Sequence, residues 1–253
     1  MICVTVAPLL LSPRGGIGPL LLGADSSGKA VVVTLSVFSL ATLYSAGVGR
    51  LLNAVVGMFV LGAGLFMLAG RTETAVEYFH GGSLSMVLLE QGLWIVVCLV
   101  ATGMVFLMAG WLSDIEPDED GIRPHPIFSG AAMRSLGAGV IVLPVVWILA
   151  QTPMKGQVLG AVVVGSMFVG LVGRLFSPHV QPWLLFVSPI LFGGVGQVLG
   201  VTIFGGTVDM TMPGSVSMLH PLNMPMPLDY AAGSLMGVAL GLGWAKSFLQ
   251  HEG

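Results

Sequence analysis

Apolar residues along this chain do not alternate with polar ones at the period of a one-sided strand or helix. They run on for stretches of membrane-crossing length. A hydrocarbon core about 30 Å thick takes about 20 helical residues to cross. Seven stretches meet that length: 30–49, 51–70, 87–112, 132–151, 156–173, 183–204 and 230–249. A segment in lipid must satisfy its own backbone hydrogen bonds, and the alternation of a membrane β-strand is absent, so these stretches predict helices. The expected fold is all-α: a polytopic integral membrane helix bundle of about seven transmembrane helices. Trp111, Trp147, Trp183 and Trp244 fall near the ends of these stretches, where amphipathic rings favour the interface.

The first 29 residues break the pattern. Pro8, Pro13 and Pro19 interrupt their apolar runs, and no basic region precedes the first run as it does in a signal peptide. Residues 1–29 are therefore expected to form an interfacial or re-entrant lead-in, and 30–253 a single transmembrane domain. No loop is long enough for a separate soluble domain.

Composition agrees with lipid. Only 8 % of residues are charged, against 55 % hydrophobic, and a net charge of −3 scattered over loops offers nothing to a nucleic acid. The positive-inside rule, with no Lys or Arg between 205 and 229, favours an N-out/C-in orientation. It places Arg50, Arg123, Arg134, Arg174 and Lys246 on the inner side against Arg14, Lys29, Arg71 and Lys155 on the outer. Compact loops suit a prokaryotic inner membrane. Cys3 and Cys98 give no disulfide framework.

Candidate chemistry is sparse. GADSSGKA at 23–30 matches the start of a phosphate-binding loop but has Ala30 where a Mg²⁺-holding hydroxyl belongs, so it reads as a polar helix start. The acidic run at 114–121 lacks the ligand spacing of a calcium loop and reads as a solvated segment. None of the five histidines falls at mid-membrane depth, as an axial haem ligand would, and no nucleophile–base pair emerges. An enzyme is not expected.

Glu90 is the carboxylate nearest the lipid core. With Gln91, and by fours through Trp94, Cys98 and Thr102, it traces a polar stripe on one helix face. Further on, SPILFGGVG sets Pro189 beside Gly193 and Gly194, a break of the kind that frees backbone carbonyls for ions or solutes. Glu90, Gln91, Pro189, Gly193 and Gly194 are thus candidates for a transport pathway. Glycines four apart, Gly156/Gly160, Gly196/Gly200 and Gly233/Gly237/Gly241, predict faces where helices approach closely, within the chain or between subunits. The pentapeptide GQVLG occurs twice, at 156–160 and 196–200. Last, the segment 209–229 carries Met210, Met212, Met218, Met224 and Met226 with His220, soft ligands that suit Cu(I) and that also suit apolar gap-filling.

Three readings stay open: a permease or channel-like protein for a small solute or ion, a non-catalytic subunit of a larger membrane complex, and a copper-binding protein. No cofactor other than copper is expected. The expected partners are the bilayer and other membrane chains, either copies of itself or subunits of a complex.

Overall fold

The computed structural model describes residues 2–12, 15–79, 82–112, 115, 125, 127–204 and 219–249. Met210, Met212 and Met218, and all but Ile115 of the acidic run, lie outside the described residues. The chain is an all-helical bundle, and among the described residues five helical passages are long and apolar enough to cross a membrane: Ser27–Leu51, Leu84–Ala109, Gly130–Leu149, Lys155–Phe176 and Leu184–Thr202. Of the other two expected passages, one is the shorter apolar helix Ala54–Ala69, about 24 Å long at the α-helical rise. The other, Pro227–Leu249, has its apolar character diluted by glycine and serine. Outward-facing Val32, Leu40, Val96, Val100 and Leu107 are exposed, the reverse of a water-soluble surface.

The lead-in is ordered by packing. A 3-10 helix over Ile2–Leu10 lies against α1 (Ser27–Leu51) and α2 (Ala54–Ala69), burying Cys3, Val6, Ala7 and Leu10. It turns back through a bridge between Leu11 and Ile17, around Gly15 at φ +85°, a conformation that favours glycine. Helices α1 and α2 are parted only by Leu52 and Asn53. The Asn53 side chain caps α2 by accepting from the Val56 amide at 2.9 Å, so the boundary falls a few residues beyond the one expected at 50.

After the five-residue α3 (Ala75–Phe79) comes α4 (Leu84–Ala109), capped by Ser83. The fourth passage is not one straight helix. It divides into α5 (Gly130–Gly137), a 3-10 turn at Ala138–Ile141 and α6 (Val142–Leu149). Pro144, in the first turn of α6, has no amide for the preceding turn, which accounts for the tighter winding there.

Helix α7 (Lys155–Phe176) is followed by a return through the 3-10 turn Leu184–Phe186 and α8 (Ser188–Thr202), and then by α9 (Pro227–Leu249). Helix α9 is the core of the bundle, with Tyr230, Ala231, Ala232, Leu235, Val238 and Ala245 fully buried. Its glycine face lies along α7. A Cβ at Gly233 would meet Val162, one at Gly237 the Val163 carbonyl and Ser166, and one at Gly241 the Met167 carbonyl and Gly170. Contacts advance together along both helices, so α7 and α9 are parallel neighbours, with α8 running back between them in sequence. On another side Gly62 of α2 lies against the Leu235–Met236 backbone.

Charged helix ends therefore fall into two groups. Lys29, Arg71 and Lys155 lie at the end where α7 and α9 begin, and Arg50, Arg134, Arg174 and Lys246 at the end where they finish.

Candidate functional site

Because α4 begins at Leu84, Glu90 stands in its second turn rather than at the helix start, and it has no exposed surface. The four-residue spacing carries Trp94, Cys98 and Thr102 down the same inner face, all of them buried. Burying a carboxyl is costly without hydrogen bonds. Donors meet it from both sides: the Leu22 backbone amide at 3.0 Å from Oε2, with the Leu21 amide beside it, and the Trp94 indole at 3.3 Å from Oε1. The Trp94 ring is itself held edge-on by Phe38 of α1 at 5.7 Å. The lead-in thus reaches the stripe of α4 through the backbone of the turn at 20–24.

Against the same turn lies a cavity of about 340 Å³ lined by Ser12, Leu20, Gly23, Glu73, Tyr78 and Met86 among others. Leu20 and Gly23 flank the residues that touch Glu90. Burial raises the Tyr78 phenol above its ordinary pKa, which keeps the hydroxyl protonated; it lies 3.3 Å from the Ser83 carbonyl, which accepts from it.

Gln91 points the other way, to α8. Its Nε2 donates to the Ile190 carbonyl at 2.5 Å, and Gly194 leaves room for its chain. Between α4 and α8 runs an apolar groove of about 370 Å³ with Gln91 and Gly194 in its lining. The interruption of this passage sits before Ser188. Pro189 occupies the first turn of α8, where a missing amide is tolerated, and Gly193 and Gly194 lie inside continuous helix. Of the carbonyls near the interruption, Phe186 accepts from the Ser234 hydroxyl at 2.5 Å. Gly193 lies beneath the Tyr230 ring, and the Gly200 face meets the Asn223 amide. Between them, Gln197 donates to the Pro225 carbonyl at 2.9 Å. Gln91 Oε1, Gln197 Oε1, both terminal atoms of Asn223 and the Tyr230 hydroxyl are buried with no hydrogen-bond partner among the described residues. Such groups are the ones that hold water or a small polar solute.

At the same end, Lys155 and Asp229 form an ion pair at 2.7 Å, with Asp229 fully buried. The carboxylate also accepts from the Met226 amide at 2.9 Å, and Lys155 reaches the Glu73 carbonyl at 3.4 Å. The pair ties the starts of α7 and α9 together. Sequence reasoning missed it, since the partners are distant in the chain; the available signal was a single charge at the mouth of each of two apolar helices.

The described part of the methionine segment diverges. Met224 and Met226 pack with Leu20, Phe79 and Val87. His220 stacks on Phe204 at 4.7 Å, and its Nδ1 accepts from the Leu222 amide. Among the described residues no three His, Cys, Asp or Glu side chains gather in one place. Gly196 meets Leu143, whereas Cβ atoms on Gly156 and Gly160 of α7 would meet nothing within 4 Å.

The opposite end of the bundle holds a larger cleft, about 580 Å³, where α1, α4, α7 and α9 finish and α2 begins. Comparisons with protein-family models, curated proteins and solved structures find no match, so the chemistry of the site rests on its own geometry.

Proposed function

We propose that this multi-pass membrane protein is a permease or channel-like protein for a small solute or ion, with Glu90 as the titrating or cation-binding group of its path. The observation that carries the reading is the Glu90 carboxyl, fully buried within a membrane-length helix and held there by an amide from the turn that lines a cavity rather than by a buried cation. An ionised carboxylate accepts the Leu22 bond more strongly than a neutral one does. Proton or cation arrival at Glu90 weakens that bond and loosens the turn at 20–24, and departure restores it. Buried amide and phenol groups of Gln91, Gln197, Asn223 and Tyr230 supply polar surface beside the stripe. Proteoliposomes with H⁺, Na⁺ or K⁺ gradients test the reading. Glu90→Gln is expected to abolish flux while the protein still inserts and purifies as the wild type does, and undiminished flux removes Glu90 from the path.

A second reading, an accessory subunit, is favoured by the open face of Gly156 and Gly160, which no element of the described chain covers. On that reading Gly160→Leu releases a partner or a second copy in native mass spectrometry, and unchanged assembly rejects it.

A further inference from the structure

We propose that the cleft at the Arg174 end binds a phosphate-type anion, presented by a lipid headgroup or free in solution. Arg50, Arg174 and Lys246 all line it, and no Asp or Glu is among its described lining residues. Each of these cations sits in the last turn of its helix, where it also offsets the negative end of the helix dipole. Dipole compensation alone needs no concavity, and here the three helices hold their cations around a space of ligand size.

Two further features point inward. Arg174 is buried and donates through Nη1 to the Pro178 carbonyl at 2.7 Å, which fixes its guanidinium in place before any ligand arrives. Helix α2 opens into the same space, since Asn53, Ala54, Val55 and Val56 all line it. Asn53 satisfies the amides of Val56 and Gly57, at 2.9 and 3.2 Å. The amides of Ala54 and Val55, at the first positions of a 16-residue helix, have no intrahelical acceptor. Backbone donors at a helix start with cations around them form the arrangement that receives phosphate oxygens.

The rest of the wall is apolar: Val55, Val56, Phe59, Leu240 and Leu242, with half-exposed Trp111 at the rim. Inorganic phosphate would leave that wall wet. A phosphodiester on a lipid fills both parts, with the anion on the cations and α2 and the first carbons of its tails on the wall. The inference does not rest on the transport reading.

Protein in nanodiscs of phosphatidylcholine, with and without phosphatidylglycerol, provides the test. Native mass spectrometry after gentle delipidation counts retained phosphatidylglycerol, and thermal unfolding in phosphatidylcholine alone is followed during titration with inorganic phosphate. The exposed pair Arg50→Gln/Lys246→Gln is the variant, because its loss leaves the buried Arg174 in place. Wild type is expected to retain phosphatidylglycerol selectively and the variant to lose that selectivity on the order of tenfold, with the same unfolding temperature in phosphatidylcholine. A phosphate-dependent rise in unfolding temperature that vanishes in the variant, without lipid selectivity, assigns the cleft to a free anion. Equal lipid retention in wild type and variant with no phosphate effect overturns the proposal.

Discussion

The pentapeptide GQVLG stands in two helices and is buried on opposite sides. At the start of α7, Val158 and Leu159 are buried while Gly156 and Gln157 are exposed; in α8, Gly196, Gln197 and Gly200 are buried while Val198 is exposed. Gln157 straps the helix start to its surroundings, donating to the Leu149 carbonyl at 2.7 Å and meeting Thr152. Gln197 instead crosses a buried interface to the Pro225 carbonyl. Identical residues at identical spacing thus present their apolar side to the protein in one helix and their small-polar side in the other. In lipid both choices are open, because the bilayer accepts Val and Leu as readily as a core does. The neighbours decide: Leu143 and Asn223 need glycines to approach α8, whereas the α7 copy has its valine and leucine taken up by the core.

Substituting the glycines should separate the two copies most. Gly200→Leu drives a side chain into Asn223 and is expected to cost about 2 kcal/mol, the scale of overpacking. Gly160→Leu meets open space and should stay within about 0.5 kcal/mol. Denaturant unfolding in detergent compares the pair, and equal losses would mean that the α7 face is packed after all. A smaller contrast is expected from the amides. Gln197→Leu strands a buried carbonyl, for about 1 kcal/mol, while Gln157→Leu gives up an exposed bond and should move stability by less than about 0.5 kcal/mol.

The smallest effect is one of pH, at the far side of the α8 copy. Partial burial lowers the His220 pKa, so the folded state resists protonation. Below the ordinary histidine value the unfolded chain takes up the proton more readily, and stability contributed by neutral His220 is lost as pH falls through that range. A modest drop in unfolding temperature on acidification, flattened by His220→Gln, is expected; a slope unchanged by the substitution would assign it to other groups.

Much of the architecture was legible from apolar run length, because lipid leaves a spanning segment few options besides a helix. The face of Gly233, Gly237 and Gly241 could be read from spacing alone, but not that it would meet α7, since spacing describes one helix and packing needs two. The groups that set the site apart were hidden for the same reason. Leu22 offers Glu90 only a backbone amide, which carries no residue signature. Asp229 and Lys155, and the three cations of the cleft, come together only once the helix ends are gathered. Pro189 was visible as a break, but its place in the first turn of α8 depends on where the helix starts, and that in turn depends on neighbours.

The parallel pairing of α7 with α9 also bears on how the protein is made. Chains are synthesised from the N-terminus, so α7 enters the bilayer before α8 has turned back and before the glycine face of α9 exists. During that interval the backbone of α7 around Val163 and Met167 must face lipid or a temporary companion. Closure of the central seam must therefore wait until α9 has been made, and a folding assistant that acts on this chain would find its target on the bare side of α7.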